Sequence, residues 1–164
     1  MEFSQQGINL LKKIEQMRLK PYDDQTGKTI TEWCQGATVG YGYLISKEEW
    51  PLYQNGITKE QADILFDKTI KPYVATVNKG LTSKTKQTLL QNQFDALVIF
   101  CYNIGEPKFL TSSVLKIVNG IATKYPSITE AFMAWNKSQG VVNTGLINRR
   151  KCELNVYKNN IYQW

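Results

Sequence analysis

The chain contains no histidine among its 164 residues. Without histidine it cannot build a Ser-His-Asp or Cys-His catalytic centre or bind zinc through imidazole. Cysteine is scarce as well: Cys34, Cys101 and Cys152 form no Cys-x-x-Cys motif and are too few for a four-cysteine site. We therefore expect no metal, no cofactor and, because the cysteine count is odd, no disulfide framework.

Long apolar runs are also missing. No stretch approaches the roughly 20 apolar residues that span a membrane, and the N-terminus lacks a charged segment followed by an uninterrupted hydrophobic core. We therefore expect neither stable membrane insertion nor a signal peptide.

The net charge of +6 raises a distant alternative, a basic helical module that binds nucleic acid or an anionic membrane. The lysines are dispersed along the chain, and the densest basic group, residues 149–151, is small. Such diffuse charge favours solubility or weak attraction to an anionic envelope, so we predict no nucleic-acid partner.

What the chain does contain is a pair of carboxyl groups in contrasting settings. Ile8, Leu11 and Glu15 repeat at helical spacing, which places Glu15 at the border of an apolar face near the end of a helix. Partial desolvation and the carbonyl end of the helix both disfavour a carboxylate there, which suits a general acid. Pro21 is expected to end the helical pattern and open a loop that carries Asp24 in a solvated setting. Such contrast is typical of glycosidases.

Several motifs resemble one known family. Glu15, residues 18–22, Asp24, Gly27 and the run Thr-Val-Gly-Tyr-Gly at 38–42 resemble the phage-type lysozymes, which are endolysins of glycoside hydrolase family twenty-four. The resemblance continues over nearly the whole chain, at residues 55–58 with 61–66, 92–97 with 102–105, 131–132 with 135–136, and 145–146 with 149–150 and 153.

The resemblance implies a muramidase that cleaves the β-1,4 bond between N-acetylmuramic acid and N-acetylglucosamine and so lyses bacteria. Glu15 matches the catalytic acid, Asp24 the catalytic aspartate, and Thr38 the threonine that helps to hold the attacking water. Because Thr38 is small, it leaves room for that water, and we expect inversion with the two carboxyl groups roughly 6.5–9.5 Å apart.

Four further residues match positions in or near the substrate cleft of the family. Tyr102 and Asn103 match residues that line the cleft, and Arg149 with Arg150 matches a basic pair near it. For the arginines, a structural salt bridge with Glu153 is an equally good interpretation.

The chain departs from the family pattern at three places. Gln16 follows the acid where most relatives have glycine, Tyr43 ends the strand motif where they have histidine, and an inserted hairpin carries Trp33 and Cys34. None of these changes removes a catalytic group.

The expected fold is α+β, mostly helical and lysozyme-like. We expect an N-terminal lobe over residues 1–57 with a short antiparallel hairpin, a connecting helix over 58–79 opened by a Thr58–Gln61 capping box, and a wholly helical lobe over 80–164. Pro72 is expected to kink or end the connecting helix. Later helices are expected from about residues 87 to 101, 112 to 119, 127 to 137 and 143 to 157.

The implied partners are peptidoglycan glycan strands, bound by a monomer. An enzyme made in the host cytoplasm without a signal peptide would need release through a holin to reach the cell wall. The nearest rival activity is that of a lytic transglycosylase, which uses a glutamate acid but needs neither Asp24 nor Thr38.

Overall fold

The computed structural model describes residues 1–164. The helices are Gln5–Glu15 (α1), Trp50–Tyr53 (α2), Lys59–Gly80 (α3), Ser83–Thr88 (α4), Gln91–Ile104 (α5), Glu106–Thr111 (α6), Ser113–Val118 (α7), Ile128–Met133 (α8) and Thr144–Asn159 (α9). The strands are Arg18–Asp23 (β1), Ala37–Gly40 (β2), Tyr43–Leu44 (β3), Lys137–Ser138 (β4) and Val141–Val142 (β5). The predicted fold class is confirmed.

The chain divides into two compact units. One comprises Lys12–Lys71, and the other comprises Met1–Leu11 together with Pro72–Trp164. The long helix predicted near Thr58 is α3, which continues through Pro72 instead of ending there. No helix combines the length and the apolar character that crossing a bilayer would require.

The Lys12–Lys71 unit contains an antiparallel sheet in the order β1-β2-β3. The sequence pattern predicts a loop from Pro21 onward, but the structure continues β1 as far as Asp23. Proline is tolerated because β1 is the edge strand of this sheet and its pairing register shifts between Arg18 and Tyr22. At such a bulged edge the missing N–H of proline removes no regular ladder bond.

Lys12 ties the last turn of α1 to α3. Its Nζ atom lies 2.8 Å from Oδ1 of Asp63, and 5.3 and 5.1 Å from the ring centroids of Tyr41 and Phe66. The hydrogen bond from Lys12 holds the pKa of the Asp63 carboxyl below its usual value. Because Glu15 lies one turn further along α1, this cluster fixes the helix end that carries it.

The second unit is built around α5. Every residue from Phe94 to Cys101 is buried, as expected for a helix that is surrounded by protein on all sides. The Phe100 ring contacts the rings of Phe109, Phe132 and Trp135.

The predicted helix from about residue 87 to 101 is two helices. The structure ends α4 at Thr88 and begins α5 at Gln91, because Leu89 and Leu90 have extended backbones with ψ of 128° and 157°. The Leu90 N–H donates to the side chain of Gln93 at 3.0 Å, which stabilises the new helix start.

The prediction that the chain is wholly helical after residue 58 is wrong at the β4–β5 hairpin. Helix α8 ends at Met133, short of the predicted residue 137. Gln139 and Gly140 join the two strands with φ of 50° and 79°. Two consecutive positive φ values are what a tight two-residue hairpin turn requires.

Candidate active site

Glu15 is the last residue of α1, which ends before Pro21, the residue predicted to end the helical pattern, because β1 begins at Arg18. Its side chain is partly buried, and Ile14 beside it is 8% exposed. The carboxyl group therefore lies at the edge of the apolar face of the helix.

Gln16 ends α1 with a left-handed backbone. Its φ is 57°, and its N–H donates to the carbonyl oxygen of Lys12 at 3.2 Å. Glycine is the usual residue in this conformation because a Cβ atom crowds the following carbonyl there. The chain thus ends α1 in a left-handed conformation with a residue that is strained by it.

Replacing Gln16 with glycine is expected to stabilise the protein. Relief of the left-handed strain exceeds the entropy that glycine adds to the unfolded chain, so the free energy of unfolding should rise by about 0.5–1 kcal/mol. Urea unfolding measures this change. Gln16→Ala keeps the Cβ atom and should give no gain; a less stable Gln16→Gly protein would contradict the strain argument.

The two neighbouring aspartates have different tasks. The carboxylate of Asp23 accepts hydrogen bonds from the Gln25 N–H and the Thr26 hydroxyl, both at 3.0 Å, and so closes the turn after β1. Asp24 is exposed, and its N–H donates to the carbonyl oxygen of Gly36 at 3.0 Å. Asp23 therefore has a structural role in the turn, and Asp24 is the better candidate for the catalytic aspartate.

Thr38 donates a hydrogen bond to the same carbonyl group as Asp24. It lies in β2, is only 4% exposed, and its Oγ1 donates to the carbonyl oxygen of Gly36 at 2.8 Å. The structure thus brings two of the predicted site residues together on one main-chain acceptor.

Gly36 itself is a site residue that the sequence pattern does not reveal. Its φ is 104°, and a Cβ atom added to it would collide with the carboxylate of Asp24. The Asp24 carboxylate therefore packs directly against the Gly36 main chain. The only signal in the sequence is a glycine two residues before Thr38.

Gly36→Ala is expected to lower turnover about tenfold, because the new methyl group displaces the Asp24 carboxylate and the positive φ is strained. Steady-state kinetics on peptidoglycan, with thermal unfolding beside it, would measure the effect. Gly27→Ala is the matched control, since Gly27 also has positive φ (70°) but a Cβ atom there meets nothing within 4 Å. Equal losses in the two variants would point to backbone strain alone.

Tyr43 occupies the place where the family carries histidine. Its hydroxyl donates to Oε1 of Glu49 at 2.8 Å, and its ring lies edge-on to Tyr53 at 5.8 Å. Burial, with the bond to Glu49, raises the pKa of Tyr43 to about 12, so it stays neutral at physiological pH. A hydrogen bond from a neutral phenol to the Glu49 carboxyl group thus stabilises this end of the sheet.

The inserted hairpin is fastened to the sheet through Trp33. Its indole N–H donates to the carbonyl oxygen of Ile45 at 3.0 Å. Partial burial, followed by the charges of Asp23 and Asp24, raises the pKa of the Cys34 thiol. Cys34 therefore stays protonated at neutral pH, and a protonated thiol is a poor nucleophile.

Tyr102 and Asn103 belong to the second unit, at the end of α5. The Tyr102 ring stacks at a tilt on Tyr73, with centroids 4.9 Å apart. Oδ1 of Asn103 accepts a hydrogen bond from Nη2 of Arg150 at 2.7 Å. Asn103 also lines a cavity of about 160 Å³ whose other lining residues are Ile104, Lys108, Trp135, Lys137, Ser138, Leu146 and Arg150.

Arg149 and Arg150 on α9 form salt bridges with Glu153. This is the structural interpretation given above as the alternative to a role in substrate binding. Nε of Arg150 lies 2.7 Å from Oε2 of Glu153, and both side chains are fully buried. Arg149 is also buried, with its Nε 3.4 Å from Oε1 of Glu153 and its Nη2 donating to the Ile99 carbonyl oxygen. Burial raises the pKa of Glu153, and the two guanidinium groups oppose that shift.

The predicted site residues are therefore distributed over both units. Glu15, Asp24 and Thr38 belong to Lys12–Lys71, whereas Tyr102, Asn103 and Arg149 belong to the other unit. Their catalytic and substrate-binding roles stay predictions. The structure contains no group of three or more Cys, Asp or Glu side chains arranged to hold a metal ion.

Comparison with known proteins identifies the family of the chain. The family model described as "Phage lysozyme" matches residues 12–153. The endolysin of Bacillus phage PZA is 40% identical over 154 residues, which are 93% of this chain and 54% of that protein. The chain thus spans about half the length of this relative.

Two solved structures share the fold over nearly their full length. The endolysin from Escherichia coli O157:H7 phage FAHEc1 superimposes with a TM-score of 0.79 and 31% identity, covering 100% of this chain and 98% of that one. The muramidase domain of SpmX from Asticaccaulis excentricus gives a TM-score of 0.73 and 32% identity, covering 96% and 98%. The chain therefore belongs to the phage lysozyme family.

Proposed function

We propose that this protein is a muramidase that hydrolyses the β-1,4 bond between N-acetylmuramic acid and N-acetylglucosamine in peptidoglycan, with inversion at the anomeric carbon. The observation that supports it best is the convergence of Asp24 and Thr38 on the Gly36 carbonyl. The substrate class is supported by the similarity to proteins named endolysin and muramidase domain.

The hydrogen bond of Thr38 determines which kind of hydrogen bond its hydroxyl can form with a water molecule. A threonine hydroxyl has one proton and two lone pairs, and here the proton is donated to the Gly36 carbonyl. Towards a bound water Thr38 can therefore only accept. The ionised carboxylate of Asp24 can also only accept. A water that gives one proton to each directs a lone pair away from both, towards the anomeric carbon of a bound sugar.

Glu15 supplies the complementary half of the reaction. As a carboxylic acid at the border of an apolar face, it protonates the glycosidic oxygen while the water attacks from the opposite side of the sugar ring. Asp24 stabilises the positive charge that develops on the ring and takes up the water's proton. Direct attack by water inverts the configuration, for which the carboxyl groups should stand roughly 6.5–9.5 Å apart.

A product analysis tests this proposal against its nearest rival. Hydrolysis adds one water to each product, whereas a lytic transglycosylase forms a 1,6-anhydro sugar, so mass spectrometry of released muropeptides separates the two. NMR of the first-formed anomer then tests the stereochemistry. An α product from the β-linked substrate supports inversion; anhydro or β products would overturn the mechanism.

The site of action belongs to the same proposal. We infer a monomer without cofactor that is made in the host cytoplasm and reaches the cell wall through a holin. The similarity to phage endolysins supports this route. We expect the protein to degrade cell walls and not to bind DNA tightly at physiological salt; tight DNA binding that weakens steeply as salt is raised, without cell-wall cleavage, would instead favour the basic-module alternative.

A further inference from the structure

We propose that Tyr22 is a substrate-positioning residue whose hydroxyl, on the same sheet face as Thr38, donates a hydrogen bond to the sugar at the scissile bond. This inference rests on the proposed function. It concerns a residue for which the mechanism above has no task.

The strand pairing sets the position of Tyr22. It lies opposite Thr38 in the β1–β2 register, and directly opposed residues of antiparallel strands project from the same face. Leu44, opposite Thr38 on β3, is 62% exposed and Tyr22 is partly exposed, whereas Thr38 between them is only 4% exposed, so this face is open to solvent at its β1 and β3 edges and covered at Thr38. Tyr22 is therefore a partly exposed residue beside Thr38 on one face of the sheet.

Tyr22 is also held in place from several sides. The guanidinium carbon of Arg18 lies 4.0 Å from its ring centroid. Nη1 of Arg18 donates to the Gly27 carbonyl oxygen at 2.7 Å, so the cation is itself fixed by the turn after β1. The main chain of Tyr22 pairs with Thr38 on one side and with Thr29 on the other. Because Tyr22 is already held by these contacts, it loses little conformational entropy when a ligand binds it.

The charges around the phenol involve both proposed catalytic carboxylates. Burial raises the pKa of Tyr22, the charge of Glu15 and then that of Asp24 raise it further, and Arg18 opposes them. The two carboxylates act through space, without a hydrogen bond to the phenol. The hydroxyl is thus protonated at neutral pH and able to donate its proton to a sugar oxygen.

The first test removes the hydroxyl alone. Tyr22→Phe should lower kcat/KM on soluble peptidoglycan fragments about three- to tenfold, the range of one neutral hydrogen bond, with an unchanged Tm. Tyr43→Phe is the matched control from the same sheet: it loses the bond to Glu49, so it should lower Tm and leave kcat/KM unchanged. Unchanged kcat/KM in Tyr22→Phe, beside a wild type that cleaves, would overturn the inference and leave the proposed function intact.

The second test needs no turnover. In protein with ¹³C-labelled tyrosine, Glu15→Gln should lower the pKa of Tyr22 measured by NMR, because a neighbouring negative charge is removed. Peptidoglycan fragments added to this inactive variant should shift the Tyr22 signal and leave that of Tyr162 in place. No shift at Tyr22 would refute the contact. A shift in a protein whose wild type cleaves nothing would support the contact while the proposed function fails.

Discussion

Glu15→Gln is expected to lower kcat on peptidoglycan at least about a hundredfold, with little change in stability. Glutamine keeps the length of the side chain and most of its hydrogen bonding, but it has no proton to give to the leaving oxygen. The loss should therefore appear in kcat much more than in KM, because ground-state contacts remain. Release of muropeptides from purified cell walls measures the rate, and thermal unfolding verifies the fold.

Glu60→Gln provides the matched control for this change. Glu60 is an exposed glutamate in the first turn of α3, within the same unit, and its neutralisation alters the net charge equally. It should leave turnover within about twofold of wild type, since a single exposed charge contributes little. Substantial activity in folded Glu15→Gln protein would show that another group supplies the proton.

The face of α1 that carries Glu15 is the part of the site that the sequence predicts best. The spacing of Ile8, Leu11 and Glu15 indicates both the helix and the face to which the carboxyl group belongs, and these are local properties. The left-handed backbone of Gln16 could not be predicted from its residue type, since glutamine rarely adopts positive φ. Only the glycine at this position in relatives points to it.

The hydrogen bonds of Asp24 and Thr38 to one carbonyl group could not be predicted from the sequence. Both hydrogen bonds end on a main-chain carbonyl, and every residue type has one. Which carbonyl is available depends on the register between β1 and β2, and β1 was not expected because Pro21 indicates a loop. The register is a tertiary property, so Gly36 and Tyr22 become visible as site residues only in the folded protein.

The wrong predictions in the second unit also lie where the backbone departs from the preference of its residue types. Leu89 and Leu90 suit a helix by residue type, yet their extended backbones separate α4 from α5. At the β4–β5 turn, the positive φ of Gln139 is again uncommon for its residue type. Leu90 is 59% exposed and Gln139 is exposed, so the backbone at these two residues departs, without core packing around them, from a local preference that is worth well under 1 kcal/mol per residue. The helical class is nevertheless correct, because it depends on the summed pattern of long segments.

Thr38→Val is the second change expected to have a large effect, and it separates the role of the hydroxyl from that of the side-chain shape. Valine keeps the branched shape in a position that is only 4% exposed, so the strand should stay packed. It removes the acceptor for one proton of the attacking water. Misplacing a reacting group can cost about a hundredfold, and we expect kcat to fall by about that factor.

Thr38→Ser completes the comparison. Serine keeps the hydroxyl and can still donate to the Gly36 carbonyl, so it should retain activity within about tenfold of wild type. The lost methyl group should cost it stability of about 1 kcal/mol. The expected pattern is thus an inactive but stable valine variant and an active but less stable serine variant, measured by cell-wall turnover and by urea unfolding. If the valine variant were as active as the serine variant, the water would be held by Asp24 alone, and Thr38 would serve only to pack β2.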